Sequence, residues 1–489
     1  MKKLMLPEDM RACEEKYFES ENMRSIDAME RAAKALADGV REMLPMGKNV
    51  WFVCGSGGNG GDGLACARIL KDDYRVKILL PKMPRSQDAL ENLRRAEAAD
   101  VPICETAEGT PDLWVDALFG TGLSREPAGI YAEWIDRMNA SSVPILAADI
   151  PSGLNGTTGK AYAHCVRAAK TVSFGFAKAG LFLQDGFDVC GDVRISNIGF
   201  PESRFDSGIQ LTEKSDISKY LPERKRNIYK NLCGHLLIVA GSRGMAGAAA
   251  MCARGAMRTG VGLVTFACPE SVVPILQTLV PGAMCVPVPE KNGAMDDVNA
   301  LMAAFPGKTA AVVGCGLSVR TNPEIVRAVL ECGLPAVADA DALNIMAAND
   351  FQPLLCAHHI ITPHPGEARR LLNGLNVEDP IAAARKLSAF GACALFKGAA
   401  CAISDGNDTY VSASGTCGMA RGGSGDVLSG IIGALIAEKS SRSMALNAAL
   451  GSEIHGLAGE RAQQKYGSRG MIAEDLPDCV AEILNERSK

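Results

Sequence analysis

The sequence predicts two three-layer α/β domains, each built on a parallel sheet with helices on both faces. Three observations carry this expectation. Short apolar runs of strand length alternate with helix-period segments along the whole chain. One polar, charged stretch after Phe200 interrupts that alternation. The 489 residues also exceed what one ordinary core encloses.

In the first half, residues 25–44 (SIDAMERAAKALADGVREML) have helical periodicity and should pack outside the sheet. Residues 49–54 (NVWFVC), 74–80 (YRVKILL), 112–120 (DLWVDALFG), 143–150 (VPILAADI) and 170–176 (KTVSFGF) read as buried strands. Residues 61–73 (GDGLACARILKDD) and 130–140 (IYAEWIDRMNA) read as crossover helices. Residues 201–233 are poor in apolar periodicity and read as a linker, placing the domains at 1–215 and 216–489. Alternation then resumes in HLLIVAGS (235–242), GLVTFACP (262–269), AAVVGCG (310–316), PAVADADAL (335–343), HHIITPHPGE (358–367) and CALFKGAA (393–400), followed by the glycine-rich helix start RGGSGDVLSGIIGALIAE (421–438).

Composition excludes several classes. A net charge of −5 argues against nucleic acid and anionic membranes as bulk partners. No window is long and apolar enough for a membrane span, and the first residues carry no secretory apolar core. The 17 cysteines sit in apolar segments without a C-x-x-C pair, so reduced thiols and a cytoplasmic location are expected. His358, His359 and His364 have no cysteine or carboxylate at zinc-ligand spacing, and a zinc site is not expected.

The stretch VCGSGGNGGDG, from Val53 to Gly63, follows the first strand of the sheet. Gly55, Gly57 and Gly60 fit a dinucleotide fingerprint, yet no acid closes the next strand to take ribose hydroxyls, which disfavours a dehydrogenase. What remains is backbone that lets a ligand approach closely, with Asn59 and Asp62 beside a helix start. Asp116 and Asp149 end later strands, so Asp62, Asp116 and Asp149 should gather at the carboxyl end of the sheet. Three such carboxylates suit acid–base work or cation binding.

Together GSGGNGGDG, DALFGTGLSRE and DIPSGL resemble the NAD(P)H-hydrate epimerase domain over roughly residues 1–215, with Gly58 where the family's loop has its first Asn. The resemblance implies a Rossmann-like fold and a potassium ion held by Asn59, Asp116 and Ser152. It implies a hydrate pocket lined by Gly58, Asn59, Gly60, Gly61 and Asp62, and by Gly120, Thr121, Gly122, Leu123, Ser124, Arg125 and Glu126. Asp149 becomes the acid–base residue at the ring.

In the second half, Gly422, Gly423 and Gly425 precede a long apolar helix with Asp426 in its first turn. Free N–H groups there suit a transferring phosphoryl group, and Asp426 could deprotonate an attacking hydroxyl. No P-loop is present. The ordered motifs GSRGMAGAA, GCGLS, DADALN, TPHPGEARRL, LFKGAA and GMARGGSGDVLSG resemble the ADP-dependent NAD(P)H-hydrate dehydratase domain, which is ribokinase-like. Ser318, Cys417 and Ser424 depart from its usual Gly, Pro and Thr. The resemblance implies that Ala248, Gly316, His364 and Asp426 contact the hydrate. It places Lys397, Gly398, Ala399, Ala400, Cys401 and Gly425 on the adenine nucleotide. Magnesium and ADP are the implied cofactor and cosubstrate, NADHX and NADPHX the substrates, and a homo-oligomer is expected. The rival reading is a ribokinase-like small-molecule kinase with a regulatory first domain.

Overall fold

Strand Asn49–Cys54 shows how the first sheet forms. Val50, Phe52 and Cys54 point into one apolar cluster with Leu36, Ala37 and Val40 of helix Ser25–Met43. Trp51 and Val53 point into another, with Trp114, Trp134 and Ile135. A strand buried on both faces needs a helical layer on each side, giving three layers. The computed structural model describes residues 1–21, 23–106, 108–221 and 223–486. It divides into two units, Lys3–Ile209 and Gln210–Lys489 with Met1–Lys2.

In the N-terminal unit seven parallel strands take the order Ile103–Cys104, Arg75–Leu79, Asn49–Cys54, Leu113–Ala117, Ile145–Ala148, Lys170–Phe174 and Asp192–Ser196. Chain direction across the sheet reverses beside Asn49–Cys54, which opens a crevice between it and Leu113–Ala117. Helix Gly58–Leu70 starts earlier than its sequence pattern predicts, so the glycine loop is itself the first helical turn. A further helix, Pro7–Glu21, was not apparent in the periodicity.

The C-terminal unit repeats the same plan. Strands Met284–Val288, Leu263–Pro269, His235–Val239, Ala310–Val313, Ala336–Ala338, His359–Ile361 and Cys393–Phe396 run parallel, with a switch point between His235–Val239 and Ala310–Val313. Cys401–Ser404 and Thr409–Ser412 then add antiparallel, a departure from the all-parallel expectation. The segment read as a linker also carries structure: strand Ile209–Leu211 and helix Lys214–Tyr220, whose Asp216 and Glu213 form a capping box.

Helix Ser424–Ala437 is almost wholly apolar and buried. It lies close against helix Ala246–Thr259: a Cβ on Gly430 would stand 1.9 Å from the Cys252 carbonyl oxygen. Gly430→Ala is therefore expected to cost about 2–3 kcal/mol, read as a lower denaturant midpoint for the C-terminal transition. Among the described residues no helix is long and apolar enough to cross a membrane.

Candidate active sites

The crevice of the N-terminal unit opens into a cavity of about 480 Å³. Gly58, Asn59 and Asp62 line it from the first turn of helix Gly58–Leu70, and Gly120, Thr121, Gly122 and Leu123 line it from the turn after Leu113–Ala117. No side chain caps that helix at Gly57, so its leading N–H groups are free to face an anion. Gly60 and Gly61 do not line the cavity. A Cβ on Gly60 would meet the Gly55 carbonyl oxygen at 1.9 Å, and one on Gly61 would meet Met29 Sδ at 2.6 Å, so both glycines serve close packing. Ser124, Arg125 and Glu126 are exposed and outside the lining.

Asp149 sits in the cavity wall with φ 65°, a left-handed backbone that a non-glycine residue adopts at a cost. Its Oδ1 accepts from Lys178 Nζ at 2.6 Å, Phe174 N–H at 3.2 Å and Ser173 Oγ at 3.4 Å. Lys178 is 2% exposed and also donates to the Phe174 carbonyl. Sequence reasoning missed Lys178. Its one signal is a lone cation inside the apolar run FGFAKAGLF. Burial, with Asp149 and Glu14 nearby, holds the Asp62 carboxyl well above the usual range. Asn59 has no hydrogen-bond partner for either side-chain amide atom, though both are buried.

The three aspartates do not all share the crevice surface. Asp116 is fully buried outside the cavity lining. It accepts from Ser152 Oγ–H at 2.7 Å, Ser152 N–H at 2.8 Å and Leu118 N–H at 3.2 Å. Burial lifts its carboxyl to about 6 against those donors. Ser152 Oγ also accepts from Phe119 N–H at 2.9 Å, tying together the turns that follow two neighbouring strands.

In the C-terminal unit the second switch point gathers Ala248, Gly316, Asp339, Lys397, Gly425 and Asp426. Gly316 has φ 62°, and a Cβ there would stand 2.9 Å from Ala248 Cβ. Ser318, where the resemblance expects Gly, carries the same left-handed strain at φ 73°, and its N–H donates to Asp341 at 2.9 Å. Lys397 follows Cys393–Phe396 in the connection that returns to Cys401–Ser404. Its ammonium lies 2.6 Å from Asp339 Oδ1 and 3.6 Å from the Cβ position of Gly425. Helix Ser424–Ala437 has no side-chain cap at Gly423, so a lysine cation and free helix N–H groups face the same space.

Asp426 stands beside them. Burial and the neighbouring Asp339 push its carboxyl up to about 6. Burial opposes ionisation of Asp339 too, but the charge of Lys397, with hydrogen bonds from Lys397, Ser429 and Thr362, holds it below the usual range. Ser429 Oγ donates to Asp339 Oδ2 at 2.7 Å. Glu367, buried beside Lys397, rises to about 7. His364 caps helix Pro365–Leu371: its Nδ1 accepts from Gly366 N–H at 3.0 Å, so a neutral ring carries its proton on Nε2, 3.3 Å from Glu367 Oε1. Burial lowers the imidazole pKa and favours that neutral form. Asp339, within DADALN, is a second site residue that nothing local in the sequence marks.

Two doubly wound units, each with an aspartate beside an uncapped glycine-rich helix start, define a two-domain enzyme class. One unit is Rossmann-like and the other ribokinase-like. The family described as NAD(P)H-hydrate dehydratase matches residues 236–482, and the YjeF-related protein N-terminus matches residues 25–180. The bifunctional NAD(P)H-hydrate repair enzyme Nnr of Coxiella burnetii is 35% identical over 94% of this chain and 95% of its own length. Its Escherichia coli counterpart is 32% identical over 98% and 93%. A ribokinase-like superfamily protein from Enterococcus faecalis superposes with a TM-score of 0.51 at 20% identity, over 58% of this chain and 98% of its own, which supports the fold. The chain belongs to the bifunctional NAD(P)H-hydrate repair enzyme family. That membership sets aside the small-molecule kinase reading.

Proposed function

We propose that the chain repairs hydrated nicotinamide nucleotides in two steps. The N-terminal pocket interconverts the R and S hydrates of NADH and NADPH. The C-terminal pocket returns the S hydrate to the intact coenzyme at the expense of ADP, releasing AMP and phosphate. The observation that carries this reading is the doubled design: Asp149 on buried Lys178 at one switch point, and Asp426 beside Lys397 at the other.

In the first pocket the lone pair of the ring nitrogen expels the hydroxyl on the adjacent carbon, and its return to the other face inverts the centre. Asp149 serves as an acid–base residue in this exchange, while Lys178 fixes its carboxyl. The unpartnered Asn59 amide fits a hard cation, and so does buried Asp116, whose ionised form a cation would favour. Asn59, Asp116 and Ser152 would hold potassium, which supplies fixed positive charge to an acidic pocket.

In the second pocket Asp426 removes the proton from the hydrate hydroxyl. That oxygen attacks the terminal phosphorus of ADP, and the bond to AMP breaks. Phosphate then leaves the ring carbon, driven by the ring nitrogen, and loss of the neighbouring C–H proton restores the double bond. Lys397 and the N–H of Gly425 face the phosphoryl oxygens. Ala248, Gly316 and His364 position the hydrate, and the Gly398–Cys401 segment meets the nucleotide. Among the described residues no cluster of three or more His, Cys, Asp or Glu could hold a metal ion. Magnesium would therefore be held chiefly by the nucleotide phosphates. Domain limits at 1–215 and 216–489, a cytoplasmic location and a homo-oligomer complete the proposal. All 17 cysteines are free. Met284, on an edge strand, and the nearby Ile275 and Leu279 are exposed.

The test is to supply hydrated NADH and ADP and follow dihydronicotinamide absorbance together with AMP. A rise matched by AMP supports the reading; a stable phosphorylated product with no rise would refute it. Because Asp426 acts as its ionised form and titrates near 6, dehydration kcat/KM should fall ~tenfold per pH unit below that value and level off above it.

A further inference from the structure

Helix Pro7–Glu21 sends Met10, Glu14 and Phe18 to the cavity, four residues apart and so along one face. Met10 and Phe18 are what an apolar stripe requires; Glu14 is a carboxyl set where packing alone would place another apolar side chain. The helix is anchored there by Tyr17 against Phe200 and Phe205, at ring-centroid distances of 5.6 and 5.9 Å. Glu14 lies outside residues 25–180, the part matched by the family of the N-terminal unit.

Inverting the ring carbon poses a problem that one carboxyl does not solve. The hydroxyl must leave from one face as water and return to the other, so a proton is needed on one side and a base on the other. The cavity is lined by carboxyls from four elements: Asp149 at a strand end, Glu14 on this helix, Asp62 on helix Gly58–Leu70, and Asp88, which accepts from Ser25 Oγ, on helix Gln87–Ala98. Resting on the epimerase reading, we infer that Glu14 is the second proton-transfer residue of this pocket. Glu14 protonates the departing hydroxyl as the C–O bond breaks toward the ring nitrogen's lone pair. A water molecule then adds to the opposite face, and its proton passes to Asp149. In the reverse direction the two carboxyls exchange roles.

The groups facing Glu14 suit that work. Arg11 and Glu15 stand on its own helix, Lys178 and Asp149 at the strand ends, Asp62 on helix Gly58–Leu70 and Asp88 on helix Gln87–Ala98. Burial lifts Glu14 to about 7, with Lys178 pulling it down and Asp149 pushing it up, so both protonation states are populated near neutrality.

The experiment measures R/S exchange in the full chain with Glu14→Gln and Glu14→Asp, using ADP-dependent dehydration of the S hydrate as an internal check of folding. Glu14→Gln should lose about 100-fold in exchange, keep wild-type dehydration, and lose the limb of the pH–rate profile near neutrality. Glu14→Asp should recover part of the rate and the limb. Exchange within twofold of wild type in Glu14→Gln, or a pH limb that persists in its residual activity, overturns the inference while Asp149→Asn still abolishes exchange. A wild-type chain without exchange would instead overturn the epimerase reading itself.

Discussion

Asp426→Asn is expected to abolish recovery of NADH from its S hydrate while leaving R/S exchange at the wild-type rate. The side chain sits in the first turn of an uncapped helix, next to a lysine that faces the same space. Burial and Asp339 raise its carboxyl to about 6, so it is ionised at neutral pH yet basic enough to take a proton. An amide of the same shape has no such basicity. General-base removal of this kind costs ~10²–10⁴-fold, and with hydroxide as the alternative leaving group the residual rate should be undetectable. Stability should change little: loss of a favourable helix-terminus charge (about 0.3–1 kcal/mol) is offset by relief of burying that charge beside Asp339. Phosphate release and dihydronicotinamide absorbance measure the first effect, and chromatography of the R and S hydrates the second.

Asp149→Asn should do the reverse. Dehydration of pure S hydrate proceeds normally, whereas a racemic mixture stops once the S share, plus slow spontaneous exchange, is consumed. This variant carries a structural cost. Lys178 is 2% exposed, and the Asp149 carboxylate is the partner that balances its charge. Removing that partner is expected to cost about 3–5 kcal/mol in the N-terminal unit. The double variant Asp149→Asn/Lys178→Met should recover most of the stability and none of the exchange, separating chemistry from folding. Thermal unfolding and hydrate chromatography on the same preparations report both.

The sequence makes legible what is local. Glycine turns at Gly57–Gly63 and Gly314–Gly316 follow apolar strands in the chain itself, and the switch-point rule then places them at the carboxyl end of each sheet, while Gly422–Gly425 is legible as a glycine-rich start to an apolar helix. Long-range pairings are not encoded in any window. Lys178 meets Asp149 across 29 positions and Lys397 meets Asp339 across 58. Asp116 reads as a crevice carboxylate because it ends a strand, but it lies outside the cavity lining, where Ser152 and Leu118 donate to its carboxylate. Helix Pro7–Glu21 is not legible in the periodicity because a carboxyl interrupts its apolar stripe, at the position where the structure places Glu14 in the cavity. The antiparallel strands after Lys397 were hidden by the same logic: the Gly-Ala-Ala turn reads equally well into a helix or back along the sheet.

The central claim is that two pockets work in series, each through its own aspartate. Mixing equal amounts of the Asp149→Asn and Asp426→Asn chains with racemic NADH hydrate and ADP tests it directly. One chain retains exchange and the other retains dehydration, so the mixture should convert the whole racemate to NADH. If the mixture stops at the S share, as Asp149→Asn alone should, the assignment of one aspartate to each step is wrong.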